Sequence, residues 1–146
     1  MPLCRLMYKS KYSEPLSESL LEAIETTSQE NNEALGITGI LIGNRSSFMQ
    51  VLEGEAEAVN EIFNNICKDE RHTKIELIDY EIIAQRAFAD WSMKCIAFGL
   101  LGHILAQRLK QKYGEENADL KLPSDSDEAF SLLYDVAFLL RQDEID

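Results

Sequence analysis

The chain is poor in the residues that cross-link, ligate or span. Three cysteines in 146 residues, Cys4, Cys67 and Cys95, are odd in number and widely spaced. They form no CxxC pair, which argues against zinc patterns and a disulfide framework; they fit reduced thiols, one or two of them buried as small hydrophobes. His72 and His103 stand far apart without ligand spacing, so no metal site is expected. Cations are scarce: 14 Lys and Arg against 26 Asp and Glu leave a net charge of −12. Nucleic acid and anionic membrane surfaces both need a basic footprint, so neither is expected as a direct partner. No run approaches the ~20 apolar residues of a membrane span. Met1-Pro2-Leu3-Cys4-Arg5 lacks the apolar core of a signal peptide, and the expectation is a cytoplasmic protein. Repeats and low-complexity segments are missing, and the length fits one domain with a real core.

Common catalytic patterns are missing too. No Ser/His/Asp or Cys/His arrangement stands out, and no GxGxxG or GxxxxGK[ST] run exists. Glu53 and Glu55 are near neighbours, but acids at the start of a helix ordinarily serve its dipole.

What is present is periodic. Leu3 to Lys9 reads as a strand with Leu6 and Tyr8 on one face, Arg5 and Met7 on the other. A short segment with Ser13 and Pro15 follows. Ser17 caps a helix to about Ala34, with Leu20, Leu21, Ile24 and Ser28 inward, and Gly36 ends it. Residues 37–43 and 47–53 form a hairpin about Gly43-Asn44-Arg45-Ser46. Gly54, Glu55 and Glu57 open a second helix whose Val59, Ile62, Phe63 and Ile66 share a face. After a loop at 69–73, strands are expected at 74–83 and 93–98. The order βαββαββ predicts an α+β, ferredoxin-like sandwich: one mixed sheet with two helices on one face.

Two C-terminal helices follow. Residues 100–113 read as a helix stopped by Gly114, then a polar connection runs from Glu115 to Pro123. Asp125 and Glu128 stand in a capping-box relation at the head of a last helix to about Arg141. That helix is too apolar for a one-sided surface helix. It is expected on the second sheet face, on its sister helix or on another subunit.

The densest signal is Ser47-Phe48-Met49-Gln50-Val51-Leu52-Glu53-Gly54. Gln50 interrupts an apolar strand, and a buried amide left unpaired costs roughly 1–3 kcal/mol. Tyr8, Asn31-Asn32, Asp69-Glu70-Arg71-His72 and Trp91-Ser92-Met93 offer polar company for it, or for a ligand sharing the site. Together with Arg5-Leu6-Met7 and Gly36-Ile37-Thr38-Gly39, these pieces in this order resemble the BLUF domain, a flavin-binding blue-light sensor of the short stand-alone type.

The resemblance implies a sensing domain at 1–98 and a helical extension at 99–146, within one compact unit, for output or oligomerisation. It implies FAD as cofactor, with FMN or riboflavin possible because Asn65 stands where many members carry a cation toward the phosphate. Asn32 would hold the flavin carbonyl edge with Asn31 nearby. Ile24, Ile37, Phe48 and Ile66 would form apolar walls. Asp69, Arg71 and His72 would lie toward the ribityl and phosphates or bracket the ring. Gln50 would bridge the flavin and Tyr8, and Trp91 and Met93 would approach Gln50 in alternative arrangements. Light-driven electron and proton transfer from Tyr8 through Gln50 would give a reversible red-shifted state. The implied protein is no enzyme; it changes its association with itself, as a homo-oligomer, or with a separate regulator. The alternatives are a flavin-dependent oxidoreductase and a light-blind interaction module.

Overall fold

A computed structural model describes residues 2–13 and 17–145. Pro15, in the expected short connection, lies outside them. The elements are β1 (Leu3–Tyr12), α1 (Glu18–Leu35), β2 (Thr38–Gly43), β3 (Ser47–Glu55), α2 (Ala56–Lys68), β4 (His72–Ile82) and β5 (Lys94–Ala97). A 3-10 turn (Phe98–Leu100), α3 (His103–Tyr113), short strands β6 (Glu115–Glu116) and β7 (Asp119–Leu120), and α4 (Ser126–Ile145) complete the chain.

The main sheet has the order β4-β1-β3-β2-β5. β1 pairs antiparallel with β3 and β4, β2 antiparallel with β3, and β2 parallel with β5. The fold is thus the expected α+β, ferredoxin-like arrangement, with β3 at its centre. Ser17 caps α1 through the Leu20 amide, and Gly36 closes it at φ +69°, a conformation that favours glycine.

Alternation along β1 divides the molecule into two cores. Leu6 and Tyr8 join Leu21, Ile24, Val59 and Ile62 beneath α1 and α2. Met7 joins Ile40, Met49 and Val51 with Leu132, Leu133 and Val136 of α4 on the other face. α4 therefore covers the second sheet face, which is why it is apolar around so much of its circumference. Phe138 remains 53% exposed.

Several boundaries differ from the sequence reading, among them β1, which runs on to Tyr12, and α4, which runs on to Ile145. Gly54 does not open α2; it is paired with Cys4 inside β3, and an added Cβ would lie 2.5 Å from Ile37 Cδ1. The glycine is there for close approach, not for a helix start. His72 and Thr73 belong to β4 rather than to the expected 69–73 loop, because their backbone pairs with Tyr12 and Lys11. α3 begins at His103, the preceding residues being taken up by the 3-10 turn. The connection after Gly114 folds into the β6–β7 hairpin, and its Leu120 and Leu122 are buried in the α4-side core.

Candidate functional site

β1 and β3 put Tyr8 opposite Gln50 in register, and both side chains face α1 and α2. Tyr8 is wholly buried, with Phe48 edge-on at 5.8 Å and Phe63 at 5.4 Å between ring centroids. Its hydroxyl donates to Gln50 Oε1. Gln50 Nε2 in turn donates to Met93 Sδ at 3.2 Å. The two ends of one buried amide are thus spoken for by a phenol and a thioether. Burial, with smaller contributions from Cys95 and Tyr12, raises the Tyr8 pKa well above the usual phenol value.

Above this chain of contacts α1 and α2 leave a cleft. Asn31, Asn32, Ile24, Thr27 and Ser28 face it from α1, Ile62, Asn65 and Ile66 from α2, and Asp69, Arg71 and His72 from the turn into β4. The structure thus brings together Tyr8, Gln50, Asn31, Asn32, Ile24, Ile66, Asp69, Arg71 and His72 around one space. Ile37 and Phe48 lie in the same apolar core but do not line it. Met93 reaches Gln50 from beneath, whereas Trp91 packs against the α4-side core with the Arg141 guanidinium 5.8 Å from its ring centroid. Thr27 and Ser28 are lining residues that the sequence reading did not name as site residues. Their signal was the polar face they share with Asn31 at helical spacing.

Electrostatics sharpen the picture at the cleft's mouth. Arg71 hydrogen bonds hold the Asp69 carboxyl down at about 2. Burial is the main cause that lowers the His72 pKa; Asp69 opposes it and Arg71 assists. Both shifts have one sign. A depressed folded-state pKa gives stability that is full above the unfolded value and lost as pH falls through the folded one. For His72 that loss begins near the unfolded value of ~6.5 and continues down to its lower folded value. The thermal midpoint is therefore expected to fall between pH 7 and pH 5, and less so in His72→Gln. Equal drops in both proteins would remove His72 as the cause.

The residues fit a planar, hydrogen-bonding cofactor. His72 Nδ1 is buried with no hydrogen-bond partner, which is costly unless a ligand supplies one. Asn31, Asn65 and Gln50 add amides, and Ile24 and Ile66 add apolar surface. Among the described residues no cluster of His, Cys, Asp or Glu is placed to hold a metal ion, and no helix is long and apolar enough to cross a membrane.

The cleft over the Tyr8–Gln50 pair is where a planar, hydrogen-bonding ligand would fit, and comparison with known proteins gives the class of protein. The chain belongs to the BLUF family, sensors of blue light using FAD, whose model matches residues 3–94. It is 35% identical over 92 residues to the photoactivated adenylate cyclase subunit beta of Euglena longa, covering 62% of this chain and 11% of that protein. It is 36% identical over 80 residues to the blue light- and temperature-regulated antirepressor BluF of Escherichia coli strain K12, covering 53% of this chain and 20% of that protein. The chain thus spans only about a tenth to a fifth of these relatives. Among solved structures, the dark state of the BLUF protein BlrB matches with TM-score 0.72 and 32% identity over 93% of this chain and 96% of that one. The ground state of BlsA matches with TM-score 0.75 and 28% identity, covering 92% of this chain and 87% of that one.

Proposed function

We propose that this protein is a reversible blue-light switch in which Tyr8 and Gln50 are the photochemical pair. The observation that carries the reading is the hydrogen-bond chain from Tyr8 to Gln50 to Met93 beneath the cleft. Bound flavin supplies absorption of blue light and, once excited, a strong oxidant. Asn32 and Asn31 would hold its polar edge, with His72 and Arg71 toward the tail and Ile24 and Ile66 against the ring. With flavin bound, Tyr8 would be placed to give up an electron and, through its hydroxyl's bond to Gln50, a proton, and to recover both as the switch relaxes. Gln50 records the event because its two ends differ: rotation or tautomerisation exchanges a donor for an acceptor. Met93 then loses or changes its partner, and β5 feels the difference.

Residues 1–98 form the sensing part in this reading, and 99–146 carry the output. α4 is coupled to the Trp91 loop through Arg141, which bonds Asp90 and donates to Ala87 O at 2.9 Å. α4 packs over Met7, Ile40 and Val51 on the second sheet face and so stands between that part of the sheet and any partner. The signal leaves through the surfaces of α3 and α4, toward another copy or a separate regulator, in the cytoplasm. No catalysis of its own is proposed for the protein.

The test is the visible spectrum of purified protein in the dark, after blue light and after dark recovery. A flavin spectrum that shifts slightly to the red and returns thermally is expected. A flavin spectrum that does not move, with turnover of a reductant in the dark, would favour an oxidoreductase. Colourless protein that also refuses added FAD and FMN would leave an interaction module.

A further inference from the structure

β5 is a four-residue strand at the sheet's outer edge, bonded to β2 on one side only. Such an edge leaves backbone groups that need partners. α1 supplies them with side chains. Glu25 Oε2 accepts from the Cys95 amide at 2.8 Å, Gln29 Nε2 donates to Met93 O at 2.9 Å, and Asn32 Nδ2 donates to Ser92 O at 3.0 Å. The spacings agree. From residue 25 to residue 32 a helix rises about 10.5 Å, and from 92 to 95 an extended chain covers about 10 Å. Helix and segment therefore run antiparallel in matched register, one contact per helical step along a single face.

Glu25 and Gln29 do not line the flavin cleft, so their contacts belong to the segment and not to the ligand. Gln29 grips the backbone of the same residue whose sulfur meets Gln50. We propose that Glu25 and Gln29 are positioning residues that latch the 92–95 segment to α1, hold Met93 on Gln50, and set the rate at which the light-driven state relaxes. The proposal rests on the photoreceptor reading. Rearrangement of Gln50 alters the pull on Met93 from within the sheet, and the latch resists its displacement from outside. Relaxation has to dock the segment again, and each lost anchor slows that docking.

Gln29→Glu keeps the size of the side chain and removes the N–H donor. Glu25→Leu removes the acceptor, whereas Glu25→Gln keeps one. Flavin content and the initial red shift are expected to stay normal in all three. Thermal recovery is expected to slow about three- to tenfold in Gln29→Glu and Glu25→Leu, the factor that one such hydrogen bond controls. Glu25→Gln is expected to recover near the wild-type rate. Independently of light, hydrogen exchange of the Cys95 amide, measured in flavin-free protein, is expected to quicken in the two damaging variants and not in Glu25→Gln. Wild-type recovery in Gln29→Glu and Glu25→Leu would overturn the proposal, as would unchanged exchange at Cys95. A wild-type protein that binds flavin and shows no red shift would instead overturn the photoreceptor reading. The exchange data would then decide the latch by themselves.

Discussion

Tyr8→Phe is expected to bind flavin normally and to show no red shift under blue light. The substitution leaves the packing intact. Tyr8 sits wholly buried between Phe48 and Phe63, and a phenyl ring fills the same volume with the same edges. Only the hydroxyl goes, and with it the donor to Gln50 Oε1. The remaining unpaired acceptor is expected to cost about 1–3 kcal/mol of stability, which urea unfolding would register without loss of the fold. The photochemical cost is larger in kind. Burial raises the Tyr8 pKa well above the usual phenol value, and in the proposed switch the hydroxyl gives up its proton together with an electron. Phenylalanine offers neither. The measurement is the light-minus-dark difference spectrum at matched flavin content. An ordinary red shift in Tyr8→Phe would take Tyr8 out of the donor role. Gln50→Leu makes the complementary test: flavin retained and spectrum silent is expected, and a normal shift there would remove Gln50 as the switch.

The two faces of β1 were legible in the sequence because strand periodicity alone puts Leu6 and Tyr8 on one and Arg5 and Met7 on the other; the pairing of Tyr8 with Gln50 was implied by the family resemblance. The two cores divide along that line. Ser17, Gly36 and the hairpin about Asn44 were legible for local reasons as well: capping and turn chemistry act over three or four residues. Gly54 misled because its reason is not local. It is small so that Ile37 can approach it, and no pattern within the strand announces a partner on another element. The β6–β7 hairpin is two residues per strand, too short for any periodicity. Within the site, amides and aromatics were legible as a set, but their shares in the cleft were not. Phe48 lies on β3 and Ile37 just before β2, and the side chains of both end in the core beneath it. Trp91 and Met93 are two residues apart in an extended segment, so period-2 geometry sends both the same way only if the segment is regular. Here β5 begins at Lys94, after both of them, and Trp91 joins the opposite core.

Glu53 shows the same limit most sharply, and Glu53→Leu carries the largest expected loss of stability. The sequence reading ended the strand at Glu53 and weighed it with Glu55 as a helix-start acid. It stands inside β3, which runs on to Glu55, with no exposed surface. Strand alternation turns it away from Gln50, toward α4, where Arg5 Nε donates to it at 2.8 Å. Its two oxygens also accept the Ala87 amide at 3.1 Å and the Phe88 amide at 2.7 Å. Arg5 continues to Glu81 at 3.1 Å and lies over Phe130 of α4, 4.6 Å from the ring centroid. One carboxylate therefore joins β1, β3, the 87–88 loop and, through Arg5, α4. Removing one partner of a buried pair leaves the other charge uncompensated, at a cost of about 3–5 kcal/mol. Glu53→Leu takes the buried partner from Arg5, leaving it the half-exposed Glu81, and strands two backbone amides as well. Against a total of roughly 5–15 kcal/mol for a domain, that is a large share. Urea unfolding is expected to show the loss, with flavin content falling as the loop that leads to Met93 slackens. Adding Arg5→Met is expected to restore part of the stability, because it removes the stranded charge but not the unpaired amides. A single-variant loss below about 1 kcal/mol, the level of an exposed ion pair, would show that the carboxylate is not the junction that the structure makes of it.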